Sequence, residues 1–191
     1  MKKYALIIPI LLMVLFLLPS PSKAATFGYT SIGAESDYFE NSITGTAFPT
    51  TEAGTVTKLS MYLNYTSVAG KTTAAIYEHA GTADAGALVK ASAEIAAANV
   101  VENNWNDYTV DNASVLGSTT YWLVAWGESV TGFFRPKGDV IGGTDDLHND
   151  TTYLGTNFPD PMTGEAAYAE VKYSIYATYT ASGGAAAGRR N

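Results

Sequence analysis

The feature that most constrains this chain is an alternation of apolar and polar residues near its end. Across residues 171–179 every second side chain is apolar or aromatic, and those between are mostly polar. Successive side chains of a β-strand point to opposite faces, so this period predicts a half-buried strand. Residues 58–64 show the same pattern.

The rest of the body is also typical of strands. Residues 119–126 are rich in aromatic and branched side chains, as in a strand that is buried on both faces. Shorter candidates cover residues 105–110 and 132–137, and turn-forming Gly, Asn and Pro separate the segments. Many short strands at such spacing predict an all-β sandwich or barrel.

Residues 83–100 are compatible with either a helix or a strand. The segment is rich in alanine, and helix propensity favours a helix. Val89, Ala91, Ala93 and Ile95 also alternate with polar residues, which favours a strand. The strand-like surroundings decide our interpretation, and we predict a strand.

The N-terminus has the order of a secretory signal. Two lysines precede an apolar run of about 15 residues, and a Pro- and Ser-rich break follows, ending in small residues up to Ala24. The run is shorter than the ~20 residues of a membrane-spanning helix. We predict a signal-peptide helix over 1–24, a sandwich domain over 25–180 and a flexible Gly/Ala tail over 181–191. After cleavage the protein would be secreted, extracellular or at the cell surface, with no membrane association.

Charge and cysteine content exclude several classes of function. The chain has 18 acidic and 11 basic side chains, and three of the lysines lie in the predicted signal segment. The remaining excess of acid disfavours nucleic acid as a partner, because a nucleic-acid-binding face is basic. With no cysteine, the chain has no disulfide and no thiolate site. The motifs of common hydrolase and nucleotide-binding sites are missing from the sequence.

Several segments together resemble a known kind of module. These are residues 54–63, 74–77, 87–89, the Trp105-Asn-Asp-Tyr run, the Thr-Thr-Tyr-Trp-Leu-Val run at 119–124, and residues 173–179. The pattern resembles a carbohydrate-binding-module-like, jelly-roll-like β-sandwich of secreted prokaryotic surface proteins. That resemblance implies an antiparallel sandwich of about 8–10 strands and a binding or adhesive role, and it supplies no catalytic motif.

Aromatic residues are the main candidates for ligand contact. Sugar rings have apolar faces that stack on aromatic rings, and their hydroxyls need polar neighbours. Phe133 and Phe134 must point to opposite faces if they lie on a strand, and Arg135 follows them. We predict that Trp105 and Trp122 fill the core. The predicted ligand-binding residues are Trp126, Phe134, Arg135 and Phe158.

An acidic segment raises the question of calcium, which prefers six to eight oxygen ligands. The candidate ligands lie within a dozen residues and do not have the spacing of an EF-hand. A solvated acidic loop is the alternative. The candidate metal ligands are Asp139, Asp145, Asp146 and Asp150.

Three functions fit these features. The first is a secreted, non-catalytic module that binds a glycan or cell-surface polymer. The second is a structural subunit of an extracellular filament, sheath or surface layer, in which residues 26–38 would be donated to a neighbouring copy. A glycoside hydrolase is the third and least favoured. Asn-x-Ser/Thr sequons begin at Asn64, Asn112 and Asn149.

Overall fold

The computed structural model describes residues 23–37, 41–64, 69–81, 84–128, 130, 134–142, 145–162 and 170–182. Thirteen strands lie in these residues, and nine of them have five residues or more. In chain order they are β1 Ala24–Gly28, β2 Glu35–Ser36, β3 Ser42–Pro49, β4 Gly54–Leu63, β5 Lys71–Gly81, β6 Asp84–Ala91, β7 Ile95–Ala96, β8 Asn104–Val115, β9 Thr120–Gly127, β10 Lys137–Val140, β11 Asp146–Asp150, β12 Val171–Tyr173 and β13 Ile175–Ala181.

Two large antiparallel sheets form a sandwich. One has four strands in the order β1-β13-β4-β8, and the other has the order β11-β3-β9-β5-β6, with β7 paired to β5. Consecutive strands cross repeatedly from one sheet to the other, as in a jelly roll: β3, β4 and β5 alternate, and so do β8 and β9. This confirms the predicted all-β, jelly-roll-like sandwich.

The main core lies between the two large sheets. Leu59, Met61 and Leu63 of β4 face this core and have no exposed surface, as the alternation predicts. Ile76 of β5 and Leu123 of β9 meet them from the other sheet. The core is therefore built from alternate residues of both sheets, and the remaining residues of each strand face the other side.

The opposite face of the six-stranded sheet is also covered. Residues 151–162, here called the strap, contain no strand or helix and lie across this face. Phe158 and Met162 of the strap are buried against Trp122 and Trp126 of β9. Strand β9 is therefore buried on both faces, as predicted from its composition.

A small third sheet has the strand order β12-β10-β2, and its strand β12 contacts β3 of the six-stranded sheet. Strands β12 and β13 are nearly continuous, and only Ser174 separates them. Ser174 links this small sheet to the four-stranded one. Its carbonyl accepts a hydrogen bond from the Tyr62 N–H of β4 (3.0 Å), and its own N–H donates to the Lys137 carbonyl of β10 (2.8 Å).

The described part of this segment, residues 84–100, contains strands β6 and β7 and a 3-10 turn over Ala97–Asn99, which confirms the strand prediction. The predicted signal peptide up to residue 22 and the tail beyond residue 182 lie outside the described residues. Within the described part of the chain, no helix is both long enough and apolar enough to span a bilayer.

Candidate functional site

The outer face of the four-stranded sheet carries three partly exposed aromatic residues, here called the aromatic strip: Tyr62 of β4, Trp105 of β8 and Tyr176 of β13. The rings of Tyr62 and Trp105 have centroids 5.6 Å apart and cross at 82°. The rings of Trp105 and Tyr176 are 4.9 Å apart and cross at 67°. Trp105 thus stands between two tyrosines in edge-to-face contact, a favourable arrangement for aromatic rings.

Alternation along β8 turns Trp105 outward. Asn106 and Tyr108 are buried, whereas Asp107 and Thr109 are exposed on the same face as Trp105. The prediction that Trp105 fills the core is therefore wrong. The polar character of Asp107 and Thr109 is the signal that could have placed Trp105 correctly.

Gly28 lets β1 pass close beside Tyr176 at one end of the strip. It has a φ of 120°, which side-chain-bearing residues rarely adopt. A Cβ atom at this position would stand 2.6 Å from the Tyr176 Cα and 2.9 Å from its Cβ. Glycine is thus required where β1 ends against Tyr176.

Of the three polar tips of the strip, only the Tyr62 hydroxyl has a hydrogen-bond partner among the described residues. The Tyr62 hydroxyl donates to the Asn103 carbonyl (2.8 Å). Among the described residues, neither the Trp105 indole N–H nor the Tyr176 hydroxyl has a hydrogen-bond partner. The other two indoles differ, since the Trp122 N–H donates to Asp84 (3.0 Å) and the Trp126 N–H to Thr151 (3.4 Å). Trp105 therefore combines an accessible ring with a donor that is available to a ligand.

A charged pair lies beside the strip on the same face. Lys58 Nζ is 2.8 Å from Asp107 Oδ2, and the Ser60 hydroxyl donates to Asp107 Oδ1 (2.6 Å). Partial burial alone would raise the pKa of Asp107, but the hydrogen bonds from Lys58 and Ser60 and the lysine charge outweigh it. The net effect lowers the pKa of Asp107 from its ordinary value of 3.8. The strip is thus flanked by an ionised carboxylate and an ammonium group.

Arg135, predicted as a ligand contact, is exposed near the same face. Its carbonyl accepts a hydrogen bond from the Asn64 N–H (2.9 Å), and the adjacent pair Leu63 and Pro136 forms a β-bridge. Paired residues of antiparallel strands share a face, so Arg135 and Asn64 lie on the side to which Tyr62 belongs. Arg135 therefore lies beside Asn64, on the same side of the sheet as Tyr62.

Unlike Arg135, the three aromatic residues that we predict as ligand contacts are buried. Trp126 and Phe134 have no exposed surface, and Phe158 is 6% exposed. Trp126 contacts Phe158 and Tyr153, each with ring centroids 5.1 Å away. A ring covered by neighbours has no face to offer a sugar, so the placement of Trp126, Phe134 and Phe158 does not support their predicted role. Phe133 lies outside the described residues.

The four predicted calcium ligands do not lie together in one site. Asp139 lies on β10, where it accepts hydrogen bonds from the Tyr29 hydroxyl (2.5 Å) and the Ala34 N–H (2.8 Å). Asp145 and Asp150 are close to the imidazoles of His79 (3.3 Å) and His148 (2.9 Å).

Asp146 is buried on β11. In the described part of the chain, no three histidine or carboxylate side chains form a group suited to a metal ion. The prediction of a structural calcium therefore gains no support.

An open pocket of about 190 Å³ lies on the three-stranded sheet, with Glu35, Asp37 and Tyr173 in its lining. The Tyr173 hydroxyl donates to Asp37 Oδ2 (2.6 Å). Burial, together with the negative charges of Asp37 and Asp146, raises the pKa of Tyr173, so its phenol stays protonated. The pocket is smaller than the ~300–1,000 Å³ of typical small-molecule sites. Its internal hydrogen bond makes it a weaker candidate than the strip.

Comparison with known proteins supplies no relative: no family model matches the chain, and no curated protein matches it significantly. The resemblance to carbohydrate-binding-module-like sandwiches therefore stays a prediction.

Proposed function

We propose that this protein is a secreted, non-catalytic module that binds a glycan or cell-surface polymer through the aromatic strip. The proposal rests on the exposure and the hydrogen bonding of Trp105. Its ring is partly exposed between Tyr62 and Tyr176, and its indole N–H has no partner among the described residues. An amphipathic ring with an unused polar tip suits a ligand that is apolar on its faces and hydroxylated at its edges, as a sugar is.

The flanking charges support the same ligand class. Asp107 can accept hydrogen bonds from sugar hydroxyls, while Lys58 and Arg135 can donate to hydroxyl or carboxylate oxygens. The rings of the strip cross at steep angles, so they do not form one flat surface. This geometry favours a single sugar unit or chain end seated against Trp105 over the flat face of a crystalline polymer.

The proposal is tested by titrating the purified protein with a panel of soluble polysaccharides and cell-wall fragments. We expect at least one ligand whose affinity falls tenfold or more in Trp105→Ala, a loss of about 1.4 kcal/mol. Leu154→Ala is the matched control, because Leu154 is 58% exposed on the strap, across the sandwich from the strip. Bound ligand should also shield Trp105 from a soluble fluorescence quencher. Equal binding by both variants, or no binding to any ligand of the panel, contradicts the proposal.

A structural subunit of an extracellular assembly is the second candidate, and the edge strand β1 favours it. Among the described residues, β1 pairs with β13 on one side and with no strand on the other. Open strand edges are templates for pairing with another chain. In this structure β1 lies in its own sheet, so assembly would proceed by edge addition or by exchange of this strand. Light scattering over a wide concentration range tests it, and a strict monomer at high concentration argues against it.

A further inference from the structure

The three Asn-x-Ser/Thr sequons differ in how the fold presents their asparagines. Asn149 is 7% exposed within β11. The Asn64 side-chain nitrogen donates to the Ser36 hydroxyl (2.9 Å), and its Oδ1 atom is buried. Asn112, on β8, is exposed. Only Asn112 of the three thus presents its side chain to solvent without a hydrogen bond to the rest of the described chain.

The backbone around Asn112 forms a bulge on an edge strand. Val56 of β4 pairs with Ala113, and Lys58 pairs with Thr109, so three residues of β8 stand opposite one residue of β4. Asn112 has a φ of 54°, a left-handed conformation that asparagine tolerates better than most residues. Bulges of this kind turn a side chain away from the sheet. Ser114, the hydroxyl residue of the sequon, is exposed as well.

We propose that Asn112 is an acceptor site for N-linked glycosylation, and that Asn64 and Asn149 are not. The co-reactant is an oligosaccharide linked to a lipid phosphate, presented by a membrane transferase after export. The Asn112 Nδ2 atom forms a bond to the anomeric carbon of the sugar while the bond from that carbon to the phosphate oxygen breaks. The lipid phosphate leaves with the bonding electrons, and the amide nitrogen loses one proton to a base of the transferase.

The folded state accommodates a glycan at only one of the three positions. A large hydrophilic group on Asn149 would have to occupy the interior, where unpaired polar groups are costly. A glycan on Asn64 would be attached to the nitrogen that donates to Ser36, beside a buried Oδ1 atom. A glycan on Asn112 extends from the bulge into solvent and leaves the strand pairing intact.

The position also has a consequence for association. Strand β8 is the last strand of its sheet, opposite to β1. A glycan on this edge prevents another chain from pairing along it, which is one way in which sheet proteins avoid aggregation. Trp105 pairs with Tyr62 and Ala113 with Val56, six positions apart along β4, so roughly 20 Å of strand lies between Trp105 and the sequon. The modification should therefore leave the aromatic strip accessible.

The test is expression of the full chain in a secreting host that performs N-glycosylation. Intact mass spectrometry should show a glycan mass that an amide-cleaving glycosidase removes and that Asn112→Gln abolishes. Asn64→Gln and Asn149→Gln should retain it, and Ser114→Thr, which keeps the sequon, should retain or raise it.

A glycan mapped to Asn64 or Asn149 overturns the proposal. So does an unmodified wild-type chain from a culture in which a co-expressed control glycoprotein is fully modified. Ligand binding at the strip is not part of the readout, so failure here would leave the proposed function untouched.

Discussion

The molecule has two groups of aromatic residues whose surroundings are opposite. The first, here called the strap cluster, comprises Tyr77, Trp122, Trp126 and Phe158, all buried beneath or within the strap. The second is the aromatic strip on the far sheet, where Tyr62, Trp105 and Tyr176 are partly exposed. Both contain tryptophan in edge-to-face or tilted contact with its neighbours. Aromatic content alone therefore does not reveal a binding surface.

Hydrogen bonding separates the two groups more clearly than ring packing does. Both indoles of the strap cluster donate to backbone carbonyls, and the Tyr77 hydroxyl donates to Pro159 (2.6 Å). Buried polar groups need such partners. Within the described residues the strip leaves the Trp105 N–H and the Tyr176 hydroxyl to solvent. The strap cluster thus satisfies its polar groups within the fold, whereas two polar groups of the strip make no hydrogen bond within the described residues.

The largest expected difference is in the stability of two tryptophan variants. Trp126→Ala removes a fully buried ring and should lower the free energy of unfolding by about 3–5 kcal/mol. Trp105→Ala removes a partly exposed ring with two edge-to-face contacts and should cost about 1–3 kcal/mol. Denaturant unfolding followed by far-ultraviolet circular dichroism measures both values. Equal losses in the two variants would show that the strip, too, is structural.

A smaller difference is expected from two tyrosine hydroxyls. Tyr77→Phe deprives the Pro159 carbonyl of its donor in a partly buried setting and should cost about 1–2 kcal/mol. Tyr62→Phe removes a bond of similar length to Asn103, but there the exposed carbonyl can turn to water, so the cost should be under about 0.5 kcal/mol. Thermal melts of the two variants compare them directly. A Tyr62→Phe cost as large as that of Tyr77→Phe would remove the distinction between the two groups.

The sequence predicts the sandwich well because alternation is a local property. Tyr62 and Tyr176 occupy the polar positions of their strands, so the same local signal is sufficient to place them outward. Trp105 is misassigned because a bulky apolar residue suggests burial when its neighbours are not weighed. The burial of Trp126 and Phe158 depends on the strap, whose path across the sheet follows no periodic pattern. Long-range packing of an irregular segment is therefore where prediction from sequence fails.

The last and smallest effect concerns the charged pair beside the strip. The lowered pKa of Asp107 means that its ionised form stabilises the folded state above the ordinary value of 3.8, and this contribution is lost as pH falls through the lowered pKa. Lys58→Met should therefore raise the pKa of Asp107, measured by NMR titration of its carboxyl carbon. Lys90→Met is the control, because Lys90 is exposed on β6 and changes net charge equally. The effect on stability should be small, since exposed ion pairs contribute only about 0–1 kcal/mol. An unchanged Asp107 pKa in Lys58→Met would mean that the pair does not persist in solution, and the lysine would then be free to contact a ligand.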